Sequence, residues 1–164
     1  MNKLEQIEVK VYFNTNIYCR PFDDLTQQRI FNEATASLNL FLLSSSGIIK
    51  IISSEIVLTE IFLIASLAKR DAVELLLSNN IVECITVTSE SDNLATQISA
   101  KCKINDYADC LHLSLACLST CDYFVTCDDE IFNKSATIEA YLKEMEYTLK
   151  IRNPIKFLNE LEVK

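Results

Sequence analysis

The sequence predicts an α/β fold in which a parallel sheet of four to five strands is covered by helices on both faces. Short runs of β-branched and aromatic residues alternate along the chain with longer segments whose apolar residues recur at helical spacing. Each strand-like run is continuously apolar, which is typical of strands that are buried on both faces. Strands that alternate with helices in this way favour parallel pairing.

The first half of the chain contains two predicted strands, each followed by a helix. "VKVYF" at 9–13 is short, β-branched and aromatic, which is typical of a buried strand. Apolar residues at helical spacing predict a helix over 25–45, and Gly47 supplies a natural stop after it. "IIKIIS" at 48–53 predicts the second strand, and a serine at its end can cap the helix that begins near Glu55.

The second half of the chain repeats this alternation and supplies the remaining strands. Its helical segments have apolar residues at steps of three and four, and its strands are short and apolar. Strands are predicted at 81–87 and 123–126, and a fifth near 147–152. Helices are predicted at 70–80, 89–103, 106–120 and 129–135, with a turn or helix from Pro154.

The composition fits one domain over residues 1–164, because 49% apolar residues can form a core that folds unaided. The formal charge is −8, so the protein has no global basic field that would attract nucleic acid, and any such contact has to be local. A single glycine excludes the glycine-rich phosphate loops of P-loop and dinucleotide-binding proteins.

The cysteines predict a reducing environment. Their number is odd, no CxxC pair is present, and no signal peptide is recognised, so we expect a cytoplasmic protein. Cys110, Cys117 and Cys121 are spaced by seven and four residues, which predicts small buried side chains on one helical face. Charged residues interrupt the most apolar region, 38–68, and no membrane span is expected.

Four polar residues lie where a parallel sheet binds its ligands, outside the carboxyl ends of the strands. Asn14 ends the first strand, and Asp128 follows the fourth. Glu60 lies on the helix after the second strand, and Asp109, in the first turns of the helix that leads into the fourth, lies near this edge only if that helix runs back across the sheet. Clustered carboxylates repel one another unless a cation joins them, so we predict that these four side chains form a Mg²⁺ or Mn²⁺ site.

The same acids also have a structural interpretation as helix caps. Asp106, Asp109, Asp128 and Asp129 all precede or begin helices, where carboxylates accept from free backbone N–H groups. Taken singly, each is more typical of a cap, whereas the four strand-edge positions together favour the metal site. His112 is the only histidine, and its place on an apolar helix favours a satisfied core residue over a general base.

Five further residues near this edge have candidate roles beside their ordinary ones. Asn16 and Thr126 could orient the ligands through hydrogen bonds, or merely finish their strands. Arg20, Arg29 and Lys134 are candidate phosphate contacts, against the alternative of ordinary surface charge.

Four segments resemble the PIN domain family, which includes the VapC-type toxins of bacterial toxin–antitoxin pairs. "VYFNTNIYCRPFDD" at 11–24 is similar to the family's opening strand and Asp-Thr-Asn, in a subgroup that continues with Arg-Pro-Phe-Asp-Asp. "DCLHLSLACLSTCDYFVTCDDEIF" at 109–132 resembles Asp-Ala-Leu-His-Leu-Ala-Leu-Ala, then Asp-Tyr-Phe, then Thr-x-Asp. "SSEIVLTEI" at 53–61 and "RNPIKFL" at 152–158 are similar to the second-acid and closing segments, so the resemblance covers about 9–158.

The resemblance implies a three-layer α/β/α fold and metal-dependent endonuclease cleavage of single-stranded RNA. It assigns the acid tetrad that holds Mg²⁺ or Mn²⁺ to Asn14, Glu60, Asp109 and Asp128, with Glu55 as a rival for the second position. It also allows an antitoxin protein partner and a homodimer.

Asn14 departs from the family pattern, which has an acid at this position. An amide oxygen can ligate a hard cation, but it brings no charge and cannot act as a base, so metal affinity should drop steeply. Three explanations stay open: a natural change that leaves a weakened nuclease, a non-catalytic module that binds a protein partner or RNA, or an engineered change that silences the enzyme.

Overall fold

The computed structural model of the protein describes residues 8–162 and has a five-stranded sheet at its centre. All neighbouring strands pair in parallel, which confirms the predicted α/β class. The strands are β1 (Val9–Phe13), β2 (Ile49–Ser54), β3 (Ile81–Ile85), β4 (Tyr123–Val125) and β5 (Lys150–Arg152), and their order across the sheet is β3-β2-β1-β4-β5.

Nine α-helices connect and cover these strands within residues 8–162. They are α1 (Thr15–Cys19), α2 (Gln28–Ser45), α3 (Glu55–Phe62), α4 (Leu67–Asn80), α5 (Ser89–Cys102), α6 (Tyr107–Leu118), α7 (Asp129–Asn133), α8 (Ser135–Glu144) and α9 (Pro154–Glu162). None of the helices in this part of the chain has the length and apolarity that crossing a membrane requires.

Two helices, α1 and α8, differ from the sequence-based prediction. α1 has only five residues and begins at the Asn14 cap, so it is too short for apolar periodicity to reveal it. α8 continues the chain directly after α7 and buries Ile138 and Leu142, one helical turn apart. Tyr141 adds a third apolar side chain at helical spacing, but the sequence-based prediction ends this helix at 135.

The central strand β1 is buried on both faces, whereas the edge strand β3 is not. Phe13 packs against Phe41 of α2, and Tyr12, which points to the opposite face, stacks on Phe124 of β4. In β3, Val82 is 58% exposed and the two residues after it are also exposed. The prediction of a strand covered on both faces is therefore wrong for β3, because an edge position leaves one side without a neighbour.

The three cysteines predicted to be buried are buried, although only two of them lie on the expected helix. Cys110 and Cys117 belong to α6, whereas Cys121 follows the end of that helix. Burial raises the pKa of the Cys117 and Cys121 thiols to about 12. These thiols stay protonated at neutral pH, as expected of small apolar side chains rather than metal ligands.

The strand order creates a crevice at the carboxyl ends of β1 and β4. From β1 the chain passes to β2 on one side, and from β4 to β5 on the other, so the order reverses between them. Such a switch point is where open parallel sheets bind ligands. Asn14 N–H donates to the carbonyl oxygen of Val125 at 3.0 Å, which extends the ladder and brings the residues after both strands together.

Candidate active site at the carboxyl edge of the sheet

Asn14 is nearly buried, with 4% exposure, and its amide has hydrogen-bond partners on both ends. Its Oδ1 accepts from Thr15 N–H at 2.7 Å and so caps α1. Its Nδ2 donates to Thr126 Oγ1 at 3.1 Å. The backbone donor fixes which end is oxygen, so the side chain joins the ends of β1 and β4 as a neutral link.

Thr126 and Asn16 complete this link. Thr126 Oγ1 also lies 3.2 Å from the donating Nδ2 of Asn16 and accepts from Asp128 N–H at 3.0 Å. Asn16 Oδ1 accepts from Cys127 N–H at 2.9 Å. Three donors therefore share the two lone pairs of this hydroxyl oxygen. Together they hold the segment from Thr126 to Asp128 against α1.

Glu60 has donors for both of its carboxylate oxygens. His112 Nε2 lies 3.1 Å from Oε1 and from Oε2, and the hydroxyl of Thr15 donates to Oε2. Burial alone would raise the pKa of Glu60, but the hydrogen bonds from His112 and Thr15 outweigh it and hold the pKa below its ordinary value. Glu60 is therefore a satisfied, ionised carboxylate at the edge of the site.

Glu55, the rival for the second acid position, has a different environment. It lies in the first turn of α3, and its Oε1 accepts from Val87 N–H at 2.5 Å. This bond ties the segment after β3 to α3. Of the two glutamates, only Glu60 contacts the residues that follow β1.

Asp109 has no donor, in contrast to its neighbours. Asp106 caps α6 by accepting from Ala108 N–H, and Asp128 caps α7 by accepting from Ile131 N–H, both at 2.9 Å. Within residues 8–162, the Asp109 carboxylate forms no hydrogen bond or ion pair. Burial, followed by the negative charges of Asp106, Asp128 and Glu60, raises its pKa to about 6. The cap interpretation therefore describes Asp106 and Asp128 but not Asp109.

The donor set fits a hydrated hard cation rather than a closed protein cage. No group of three or more His, Cys, Asp or Glu side chains among residues 8–162 is close enough to hold a metal. Mg²⁺ usually keeps several waters and takes only one or two carboxylates. Asp109 offers both oxygens, and Asp128 offers Oδ2 because only its Oδ1 is used as a cap. The negative charge of Asp128 is among the causes that raise the pKa of Asp109, so the two carboxylates act on each other electrostatically.

The three candidate phosphate contacts already have anionic partners. Arg29 is the most exposed, at 57% of its side chain. A phosphate would have to replace a carboxylate at each of them. The ion pairs are Arg20 with Asp23 (3.0 Å) and Glu33 (2.9 Å), Arg29 with Glu33 (3.0 Å) and Asp129 (2.5 Å), and Lys134 with Glu130 (2.9 Å).

Sequence reasoning missed two residues that shape the site, Thr15 and Tyr12, and it did not foresee the contact between His112 and Glu60. Thr15 stands between two asparagines in the sequence, and nothing there indicates that its hydroxyl reaches Glu60. Tyr12 has the pattern of an ordinary strand residue, but its hydroxyl lies 2.7 Å from His112 Nδ1 and 2.6 Å from Ser54 Oγ. His112 is fully buried as expected, and it also contacts Glu60.

Comparison with models of known protein families finds a match. A family model described as PIN domain matches residues 12–137, which include Asn14, Glu60, Asp109 and Asp128. A search of curated proteins finds no match.

Two solved structures are similar in fold. One is VapBC2 from Rickettsia felis bound to a DNA fragment from their promoter, with 17% identity over 88% of this chain and 98% of that chain, and a TM-score of 0.56. The other is FitAcB from Neisseria gonorrhoeae, with 16% identity over 88% and 97%, and a TM-score of 0.53. At these identities the likeness shows the fold alone.

Proposed function

This chain belongs to the PIN domain family, and on that premise we propose that it is a metal-dependent endoribonuclease for single-stranded RNA whose activity is weakened by Asn14. The proposed cofactor is Mg²⁺ or Mn²⁺, held mainly by Asp109 and Asp128. Glu60 supplies further negative charge at the edge of the site, and Asn14 is a neutral member of the set.

The observation that carries this proposal is the unneutralised carboxylate of Asp109. Its pKa is raised to about 6 by burial and by three neighbouring acids, so the ionised form has an unfavourable environment in the metal-free protein. A divalent cation would remove that cost by supplying the missing positive charge. Oxygen ligands of this kind suit Mg²⁺ and Mn²⁺.

The residues around the cation have separable roles. When bound, Mg²⁺ or Mn²⁺ polarises a phosphoryl oxygen and stabilises the charge that develops there. Asp109 and Asp128 hold the cation, and His112 and Thr15 hold the Glu60 carboxylate in place. Asn14 keeps α1 capped but lacks the charge that an aspartate would add, so the cation is bound less tightly.

Substrate binding is proposed to be local because the protein is acidic overall. The formal charge is −8, so attraction of an RNA chain depends on individual cations near the site. Arg29 is the best placed by exposure, with Arg20 and Lys134 as weaker candidates. Each would exchange a carboxylate for a phosphate.

A non-catalytic module that binds a protein partner or RNA is the second candidate. It is favoured by the amide of Asn14 and the carboxylate of Glu60, since both have their hydrogen-bond partners inside the protein. The similarity to VapBC2 and FitAcB supports a protein partner such as an antitoxin. A homodimer and the Arg-Pro-Phe-Asp-Asp subgroup stay predictions. So does a cytoplasmic location, with which the seven unpaired thiols agree.

Cleavage of a fluorescent single-stranded RNA with Mn²⁺ tests the proposal. We expect slow, chelator-sensitive cleavage by the parent and at least tenfold faster cleavage by Asn14→Asp. Asn14→Ser, a neutral variant that can still cap α1, is the matched control and should stay slow. The proposal is wrong if Asn14→Asp neither cleaves RNA nor binds Mn²⁺ by calorimetry.

A further inference from the structure

A chain of buried hydrogen bonds runs from the core to the Glu60 carboxylate. Ser54 Oγ lies 2.6 Å from Tyr12 Oη, which lies 2.7 Å from His112 Nδ1. His112 Nε2 lies 3.1 Å from both oxygens of Glu60. Ser54, Tyr12 and His112 are fully buried, so Glu60, with a side chain 33% exposed, is the only member that reaches the surface.

The chemistry of the groups gives this chain one direction when the imidazole is neutral. An ionised carboxylate only accepts, so His112 Nε2 carries the hydrogen and Nδ1 must accept. Tyr12 then donates to Nδ1, and Ser54 donates to the phenolic oxygen. Burial raises the pKa of Tyr12 well above its ordinary value, so the phenol keeps the proton that this arrangement requires.

This series of hydrogen bonds also connects the elements that carry the acids. Tyr12 belongs to β1, Ser54 caps α3, and His112 lies on α6 three residues after Asp109. Residues three apart lie on the same side of a helix. His112 therefore fixes Glu60 of α3 relative to Asp109 of α6, and the Glu60 charge raises the pKa of Asp109.

We propose that His112 is a positioning residue that, backed by Tyr12 and Ser54, holds the Glu60 carboxylate toward the cation site through its Nε2–H group. The part that concerns the cation rests on the proposed function. The part that concerns the tautomer of His112 does not, because it follows from contacts within the metal-free protein.

The tautomer is measured first, in the full chain without a histidine tag and without metal. His112 is the only histidine, so ¹⁵N-labelled histidine gives the signals of one ring in a long-range ¹H–¹⁵N correlation spectrum. We expect a protonated Nε2 and an unprotonated Nδ1. In Tyr12→Phe the donor to Nδ1 is lost, so the Nδ1 resonance should move, while Glu60 still keeps the hydrogen on Nε2. An unprotonated Nε2, or an Nδ1 resonance that does not move in Tyr12→Phe, would overturn the proposal.

Mn²⁺ binding is measured next by calorimetry, in the Asn14→Asp background where affinity is highest. Removal of a partner that orients a metal ligand costs about tenfold or more in affinity, and because His112 acts through Glu60 we expect His112→Ala to lose about tenfold, no more than Glu60→Gln. His112→Gln keeps an N–H donor in reach of Glu60 and should recover most of the loss. Leu113→Val, which loosens the buried face of α6 without touching the chain, should bind as the background protein does.

Two results of the binding measurement would contradict the positioning role. One is equal affinity of His112→Ala and Leu113→Val, which would mean that packing alone matters. The other is an equal loss in His112→Gln and His112→Ala. If Asn14→Asp binds no Mn²⁺ at all, the proposed function fails, and the tautomer measurement alone decides whether His112 positions Glu60.

Discussion

Glu60 and Asp109 are partly buried carboxylates at the same edge of the sheet, but their surroundings act on them in opposite directions. Glu60 receives hydrogen bonds from His112 and Thr15, and its pKa lies below the ordinary value. Asp109 receives none within residues 8–162, and burial beside three other acids raises its pKa to about 6. Hydrogen-bond donors, and not the degree of burial, therefore decide which of the two carboxylates is stabilised in its ionised form.

This difference separates two roles within one acid cluster. Hydrogen bonds from His112 and Thr15 already stabilise Glu60 as an anion, so it gains less from a cation than Asp109 does. Asp109 is left without a partner and gains most. Asn14 belongs with Glu60 in this respect, because its amide is satisfied by Thr15 and Thr126. Asn14 and Glu60 thus have hydrogen-bond partners inside the protein, whereas Asp109 stays available for a cation.

The largest expected effect is the loss of cation binding when Asp109 is neutralised. In the Asn14→Asp background, Asp109→Asn should weaken Mn²⁺ binding by roughly a hundredfold or more, beyond the range seen for groups that only orient a ligand. Glu60→Gln should weaken it by about tenfold, because its charge acts from the side. Calorimetric titration compares the two, and a larger loss for Glu60→Gln would reverse the roles assigned here.

Removal of the imidazole should strongly destabilise the metal-free protein. His112→Ala leaves Tyr12 without its acceptor and Glu60 without a donor, and it opens a cavity in the core. We expect the free energy of unfolding in urea to fall by about 2–4 kcal/mol. Thr15→Val, which removes a donor to Glu60 at a less buried position, should cost clearly less. Equal costs would mean that the buried chain does not hold Glu60.

Restoring an acid at position 14 should destabilise the metal-free protein at neutral pH by roughly 1–2 kcal/mol. Asn14→Asp places a carboxylate at a site with 4% exposure and removes the donor to Thr126. Thermal unfolding with and without Mn²⁺ measures the change, and added Mn²⁺ should reverse it. A higher melting temperature of the metal-free variant would show that the carboxylates are not crowded.

Asp109 and Glu60 should contribute to stability with opposite pH dependence. The folded pKa of Asp109 is raised, so its ionised form destabilises the metal-free protein above pH 6, and this cost disappears as the pH falls toward 4. Asp109→Asn should therefore raise the free energy of unfolding by about 1 kcal/mol at pH 7, after allowance for solvent screening, and should not change it near pH 4. The lowered pKa of Glu60 contributes stability that is lost only as the pH falls through that value.

Urea unfolding of the parent, Asp109→Asn and Glu60→Gln between about pH 3 and 7 tests this pair of trends. At pH 7 the free energy of unfolding should be higher for Asp109→Asn than for the parent, and lower for Glu60→Gln than for the parent. Both differences in free energy should shrink as the pH falls. Parallel curves for all three proteins would contradict the assigned environments.

Much of the fold was predictable because its signals are local. The apolar strand runs, the Gly47 stop with its positive φ, and the Ser54 cap of α3 all act within a few residues in the sequence. α1 was not predicted because five residues are too few to show a helical repeat of apolar residues. The exposure of β3 was not predicted because an edge strand and a central strand have similar sequences.

The α/β class, the alternation of the main strands and helices, and the positions of Asn14 and Asp128 at strand ends follow from local sequence pattern and the geometry of parallel sheets. Which acids have donors depends instead on tertiary packing. Thr15 and His112 lie 45 and 52 positions from Glu60 in the sequence and meet it only because β1, α3 and α6 pack together. Within residues 8–162, no comparable packing brings a donor to Asp109.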